Sequence, residues 1–541
     1  MEVGMKSLLF CFILLCGAFC LTAQAPGWQW ASQAGGVNDD IGFAVAFDNQ
    51  GNQYVSGYFA GTASFGPYNL VSSGLDDIFV AKLDSSGSWL WAAQAGGTDL
   101  DRGSGIALDG AGNIYLIGEF RGSASFGSLT ITSSGNLDTF IAKLDANCNW
   151  LWARRAGGAS DDLGYRVAVD GLGSTYVTGS FQLSASFGSF TLTAAGNRDI
   201  YAAKLDADGN WLWAVRAGGS GYDEGTGICL DSAGSAFITG FCTGSVSFGP
   251  WIIAASAATD VFAAKLDSGG NWLWVVNVGG PGTNADYCFS IASDGLDNAL
   301  IAGFFKATAQ FGAYSLTSSG NYDIFAAKLN SAGNWLWAAG AGGLDNDRAW
   351  GIAADSAGNA YLTGYFTTNA DFGPYTLTSG GSIDVFAAKL DSAGSWLWAV
   401  GAGSSSSDVG YGIAADGIGN TYLTGEMSGN AVFGPFTLTS AGSCDIFTAK
   451  LGYPPKPQEP QNVRITRWGD DIRLQWDPVT QDTGGNPFYP FAYKIYACAY
   501  LPDGEFLPLA QVGWVECEYT VFGGALWADR LFFRVTAVGE E

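Results

Sequence analysis

A tryptophan pair of the form Trp-x-Trp returns at Trp28/Trp30, Trp89/Trp91, Trp150/Trp152, Trp211/Trp213, Trp272/Trp274, Trp335/Trp337 and Trp396/Trp398. The spacing is 61 residues five times and 63 once. A fixed period of this size confines a chain to repeat architectures, whose units bury their apolar faces only against one another.

One repeat, Asp101 to Gly158, reads as four strands. They are Ser104–Asp109, Ile114–Phe120, Thr139–Leu144 and the Trp150-Leu151-Trp152 strand, with Gly/Asn turns between them and a longer connection carrying Phe126-Gly127 and Leu129–Thr132. Alternation of apolar residues between such turns indicates antiparallel hairpins, and no segment keeps a helical period. Four antiparallel strands per repeat describe a β-propeller blade. The small Gly-Ile-Ala strand suits the crowded centre, and the Trp-x-Trp strand suits the wide rim. The 79 glycines and 14% aromatic content agree with many short strands and tight turns.

The two ends of the series complement each other. Trp28-Gln29-Trp30 has no third strand before it, and Asp445–Leu451 has no Trp-x-Trp strand after it, only Pro454-Pro455-Lys456-Pro457. The expected fold is therefore all-β: a seven-bladed β-propeller over residues 26–451, closed by the N-terminal strand, which completes the last blade. Gly112–Gly118, Asp323–Leu329 and Gly333-Asn334-Trp335 resemble the seven-bladed β-propeller repeats called SBBP repeats. That resemblance covers residues 28–451 and implies an exported bacterial scaffold with no common enzymatic activity.

Residues 452–461 form a proline-rich linker. Beyond it, 462–541 carries six strand-like segments: Asn462–Ile465, Ile472–Trp476, Tyr493–Tyr496, Leu507–Val512, Glu518–Val521 and Leu531–Val538. They resemble an Ig-like, fibronectin type III β-sandwich lacking its last strand, with Trp476 as its buried tryptophan. The missing strand implies an edge able to take a partner strand. Cys498 and Cys517 are a possible disulfide pair there.

At the other end, Lys6, the apolar run Ser7–Leu21 and Ala23-Gln24-Ala25 read as a signal peptide over 1–25, cut after Ala23 or Ala25. The expected location is outside the cell or on a bacterial cell surface, with no transmembrane segment in the mature chain. The formal charge of −26 argues against nucleic acid as a partner. With no histidine in the sequence, His-dependent triads and His-containing zinc sites are excluded. No CxxC spacing occurs, so a metal cage of cysteines is not expected.

Three charges recur in every repeat. One series is Asp40, Asp101, Asp162, Asp223, Asp286, Asp347 and Asp408, and a second is Asp77, Asp138, Asp199, Asp260, Asp323, Asp384 and Asp445. They are either a crown of carboxylates able to hold calcium or caps on backbone N–H groups. The third series, Lys82 to Lys450, ends each third strand and can pair with the turn aspartates Asp48 to Asp416. The Asp-Gly-Asn turns before the tryptophans resemble sialidase Asp-boxes, but are one residue too long.

Specificity is sought where the repeats differ. One position reads Phe43, Ser104, Tyr165, Thr226, Phe289, Trp350 and Tyr411. Its aromatics, Phe43, Tyr165, Phe289, Trp350 and Tyr411, either line a channel mouth for a glycan or protein ligand or pack between blades. Arginines crowd into residues 102–216, and Arg102, Arg166 and Arg198 form either a site for an acidic ligand or neutralising partners for nearby carboxylates. The expected function is noncatalytic binding or adhesion, with no catalytic residue and no cofactor assigned. The alternative is a carbohydrate-active enzyme using face carboxylates, for which Glu119 and Glu426 depart from the repeat.

Overall fold

The computed structural model describes residues 25–453, apart from 256–257 and 281–283, and the strands of the C-terminal part. Residues 1–24, 454–463 and Trp476 lie outside the described residues, so the expected signal peptide and linker fall there almost entirely, and the expected Cys498–Cys517 pairing lies outside them as well. Two compact units are present, Met1–Leu451 and Gly452–Glu541.

The first unit is all-β and antiparallel throughout its named sheets. In the second repeat the strands are Asp101–Leu108, Ile114–Phe126, Leu129–Leu144 and Trp150–Gly158, paired in that order. The stretch read from sequence as a connection is itself a hairpin, Phe126↔Leu129, offset by an irregularity between Arg121 and Ser123. Such hairpins reach across to the preceding repeat: Ala185 and Ser186 pair with Gly158 and Gly157, and Phe248 to Val246 pair with Ala217 to Gly219. Backbone hydrogen bonds thus stitch adjacent repeats at their rims.

The Gly27–Gly36 strand lies hydrogen-bonded between Asp445–Gly452 and the first repeat's second strand, Gln53–Phe65. The first strand of each repeat contacts that of the next, and Val409–Ala415 of the seventh contacts Ile41–Phe47 of the first.

The Trp pair has a local cause. A register shift falls between Lys143 and Leu144, so that Leu144 faces Trp150 while Lys143 faces Trp152. The extra residue, Leu151, is exposed. A bulge of this kind breaks the two-residue alternation, so residues two apart reach opposite faces. Trp150 packs in the cluster of Phe126 and Phe140, whereas Trp152 packs with Val177 and Phe181 of the next repeat. Each interface therefore receives one indole from either side. The first Trp of each pair meets a phenylalanine edge-on, with centroids 5.0–5.3 Å apart, as in Trp150–Phe126 and Trp28–Phe433. In five pairs the second donates its N–H to a turn carbonyl of the following repeat, as in Trp152 Nε1 to Ala207 O at 3.1 Å and Trp213 Nε1 to Ser268 O at 3.0 Å; Trp398 Nε1 is buried without such a partner among the described residues.

That turn needs glycine. Gly209 has φ of 79°, and a Cβ there would lie 2.8 Å from Cδ2 of Trp152.

In the second unit, Arg464–Trp468, Asp471–Gln475 and Glu518–Val521 form one antiparallel sheet. Leu507–Gly513, Ala492–Ala499 and Leu531–Val538 form another in that order.

Three substitutions at one joint should destabilise it by different amounts. Trp152→Phe keeps a ring but loses the N–H bond, at about 1 kcal/mol. Trp152→Ala costs about 3–5 kcal/mol. Gly209→Ala is destabilising by about 1 kcal/mol or more, through φ and the ring contact together. Denaturant unfolding of the three variants should return that order, with Trp152→Ala the least stable.

Candidate functional site

The seven first strands share a second bulge, and it falls on the variable aromatic position. Register shifts occur between Gly42 and Ala44, Gly164 and Arg166, Cys288 and Ser290, Ala349 and Gly351, and Gly410 and Gly412. Phe43, Tyr165, Phe289, Trp350 and Tyr411 are the unpaired residues. Ser104 and Thr226 hold the same place in the other two repeats. A bulge re-aims the side chain it frees, and here all seven line one cavity of about 350 Å³. Arg102, Arg166 and Glu119 complete its wall. Arg198 is not part of that wall; it stands behind it, bonded to Glu224.

The aromatic side is a continuous arc, with ring centroids of Phe289 and Trp350 at 4.3 Å, Trp350 and Tyr411 at 5.8 Å, and Tyr411 and Phe43 at 5.0 Å. These rings therefore pack against neighbours and also face the cavity. The opposite side is polar. Arg102 pairs with Asp76 (Nη2–Oδ2 2.6 Å) over the ring of Tyr58. Tyr165 Oη donates to Glu224 Oε2 at 2.7 Å, and Arg198 Nη1 donates to Glu224 Oε1 at 2.9 Å. Burial and the Glu224 charge hold the Tyr165 phenol well above its ordinary pKa, so it stays protonated. Burial likewise raises Glu119, against the pull of Arg102 and Arg198. Tyr411 Oη donates to Glu426 Oε1 at 3.1 Å. Arg166 is different. Its Nη1 donates to the carbonyls of Ser104 and Tyr165, it has no carboxylate partner among the described residues, and desolvation lowers its pKa to about 10.

Glu224 was not among the residues expected from the sequence to form the site. Its position, one after the first-series aspartate, reads Ile41, Arg102, Leu163, Glu224, Tyr287, Arg348 and Val409 across the repeats. That variability was the available signal. Glu119 and Glu426 sit opposite it in register, at Arg102↔Glu119 and Val409↔Glu426.

The repeated charges are spent inside the fold. Asp101 accepts the N–H of Gly97 at 2.6 Å and of Arg121 at 3.4 Å, and the same pair of acceptances recurs at Asp40 and Asp162. Asp77 accepts from Ser73 N–H, and Asp445 from Ala441 N–H. Each first-series aspartate also feels a second-series one: Asp101 the charge of Asp77, Asp40 that of Asp445. A Cβ at Gly96 would lie 2.9 Å from Asp77 Oδ1 and 3.1 Å from Asp101 Oδ2. These are capped turns with two carboxylates per joint. The hydrogen bonds are those of caps on backbone N–H groups. Among the described residues no group of three or more His, Asp, Glu or Cys side chains is placed to hold a metal ion. The expected Lys–Asp pairs form at Lys82–Asp48, Lys204–Asp170, Lys265–Asp231, Lys328–Asp294 and Lys389–Asp355, at 2.8–3.9 Å. Lys143 and Lys450 instead lie over the rings of Tyr115 and Tyr422. The Asp-Gly-Asn turns are Asx turns: Asp206 Oδ1 accepts the N–H groups of Asp208 and Asn210.

No protein-family model matches the chain. A WD repeat-containing protein of Acanthamoeba polyphaga mimivirus, described as uncharacterized, is 22% identical over 498 residues, covering 74% of this chain and 36% of that protein. Regulatory protein FlaEY of Caulobacter vibrioides is 30% identical over 141 residues, covering 25% of this chain and 15% of that protein. The chain thus spans well under half of either relative. Among solved structures, YCF48 bound to D1 peptide is 9% identical with a TM-score of 0.35, covering 80% of this chain and 98% of that one. A glycoside hydrolase is 11% identical with a TM-score of 0.23, covering 81% of this chain and 94% of that one. With its repeats and antiparallel four-stranded units, the chain is a β-propeller repeat protein. Among the described residues no helix is long and apolar enough to cross a membrane.

The buried aspartates set a pH dependence. Desolvation raises Asp40, Asp101, Asp162 and Asp286 from 3.8 to about 7, and Asp223 and Asp347 to about 6. A raised folded-state pKa means that folding takes up protons, so this stabilisation is full below 3.8 and is lost as pH rises through about 6–7. The Asx-turn carboxylates act oppositely: Asn210 lowers Asp206 and Asn271 lowers Asp267, so their stabilisation fades as pH falls below 3.8. The melting temperature should peak between about pH 4 and pH 5 and fall towards pH 8. Asp101→Asn, which fixes the neutral form at one joint, should flatten the alkaline limb in a series of melts.

Proposed function

We propose that this protein is a noncatalytic binding protein that takes its ligand, a glycan or a protein segment, at the cavity where the first strands converge. One observation carries the reading. The repeated charges are consumed by turns and internal pairs, whereas the seven bulge residues that vary from repeat to repeat all face one cavity. Structural demands apply to every repeat alike, so variation gathered in one place marks selection for something else.

The reading includes a seven-bladed propeller over 26–451, closed by its N-terminal strand, of the SBBP kind. It is supported by the pairing of Gly27–Gly36 with Asp445–Gly452 and by the contact of Val409–Ala415 with Ile41–Phe47. It also includes a signal peptide over 1–25, export to the exterior or the cell surface, a linker over 452–461 and a fibronectin type III-like domain over 462–541. For the last, support comes from two three-stranded sheets with Leu531–Val538 at the end of one order, the edge at which a partner strand would add.

The enzymatic alternative is the weaker one. Glycoside chemistry asks for two free carboxyl groups about 5–10 Å apart. Glu119 faces the cavity, but Glu224 and Glu426 each accept a tyrosine hydroxyl, and Glu224 is neutralised by Arg198 as well.

Two experiments test these statements. A glycan array and a peptide array probed with the purified protein should each be read beside Trp350→Ala and Tyr411→Ala. The expected result is a ligand whose affinity drops tenfold or more in both variants; binding indifferent to them removes the cavity as the site. For closure, removal of residues 26–36 should expose the Asp445–Gly452 edge and give self-association in size-exclusion chromatography. A monodisperse, equally stable truncated chain is the contrary outcome.

A further inference from the structure

We propose that the cavity ligand is an anion, a carboxylate carried on a ring, with the carboxylate on Arg166 and the ring on the aromatic arc of Phe289, Trp350 and Tyr411. This rests on the binding reading above and names its ligand class.

Arg166 occupies a position that the other repeats keep small. The residue after the bulge is Ala44, Gly105, Gly227, Ser290, Gly351 or Gly412 in the other six repeats. Small residues are demanded there because neighbouring first strands approach closely. A Cβ on Gly105 would lie 3.0 Å from Tyr165 O, and one on Gly351 would lie 2.8 Å from Tyr411 O. The scaffold therefore has no use for an arginine at this point, and six repeats do without one.

Its cost is equally plain. A guanidinium taken out of water needs a counter-charge or a full set of acceptors. Arg166 has neither: Nη1 bonds two carbonyls, and no carboxylate pairs with it among the described residues. The other arginines of this side are provided for, Arg102 by Asp76 and Arg198 by Glu224. Glu119 feels the charges of Arg102 and Arg198, while desolvation alone shifts Arg166. An unpaired cation lining a cavity in a chain of formal charge −26 is unexpected for solubility or bulk steering. A bound anion completes it, and the planar guanidinium matches a carboxylate in bidentate fashion.

The rest of the ligand follows from the remaining wall. Across from Arg166 the lining is aromatic and uncharged, suited to the face of a flat or pyranose ring. The volume, about 350 Å³, is that of a small-molecule site and admits one or two rings. Two sources share this chemistry, a uronate sugar and an aryl carboxylic acid.

The test uses both sources with neutral counterparts: glucuronate against glucose, and phenylacetate against phenylacetamide, titrated calorimetrically into the full chain. At least one acid should bind tenfold or more tightly than its neutral partner, and which acid does so identifies the source. Arg166→Ser restores the residue found at Ser290, so the fold should tolerate it. Its melting temperature should equal or exceed that of the unaltered chain, because an unpaired buried charge is gone. Its preference for the acid should fall to within twofold, and the acid should no longer raise the melting temperature. The proposal is overturned if neither acid is preferred, or if the preference survives Arg166→Ser in a folded protein. A neutral glycan or peptide that binds in a Trp350-dependent way, with no acid preference, overturns the anion while leaving the binding reading intact. Failure of every array ligand and every probe removes both.

Discussion

The indole of one repeat lying on the turn of the next is the contact on which the remainder of this fold depends. Trp152 reaches Ala207 and Gly209, Trp213 reaches Ser268 and Gly270, and Trp337 reaches Ser392 and Gly394. Each contact combines a buried ring with a directed N–H bond, so it fixes spacing as well as adhesion. The bulge at the intervening leucine makes it possible, because it sends the two indoles of a pair to opposite faces. Without it, both rings would crowd one interface and leave the other unfilled. The Trp-x-Trp period is thus a consequence of a register shift in the backbone, repeated once per joint.

The joints also explain where the charges went. Each is closed by an aspartate pair that caps the loops on either side of it, and in the Asp77–Asp101 joint burial raises both carboxyls above the ordinary aspartate range. Buried oxygens such as Asp77 Oδ1, Asp138 Oδ1 and Asp445 Oδ1 lack hydrogen-bond partners among the described residues. Two ionised groups so placed repel, and that repulsion adds to the rise at Asp101 and Asp40.

The sequence carries the period, the four strands per repeat and the complementarity of the two ends legibly, because each is written in local patterns of apolar residues and turns. The Lys–Asp pairs were also readable, since both partners repeat in step. Other features were not. The hairpin between Phe126 and Leu129 looked like a connection because its residues are mostly small and polar, and only its pairing with the repeat before it reveals its role at the joint. The bulge under Phe43 and its equivalents is a property of two strands in register, which a single strand's residues do not display. The aromatic position was therefore found as a variable column without the reason for its aim. Glu224 went unnoticed because its column mixes apolar, basic and acidic residues and so resembles ordinary surface drift.

Symmetry itself separates scaffold from site. A repeat protein stabilises each joint by the same contacts, so any residue required for the scaffold is required at every joint. Arg166 breaks that rule at a position restricted elsewhere to Gly, Ala or Ser, and it does so facing a cavity. Tyr165 and Arg198 break it too, but Glu224 answers both of them within the protein. Their charges close on themselves, and what they do is hold a wall in place. Among the described residues Arg166 has no such answer. The difference between a satisfied exception and an unsatisfied one is what distinguishes a residue that shapes the cavity from one that meets its occupant.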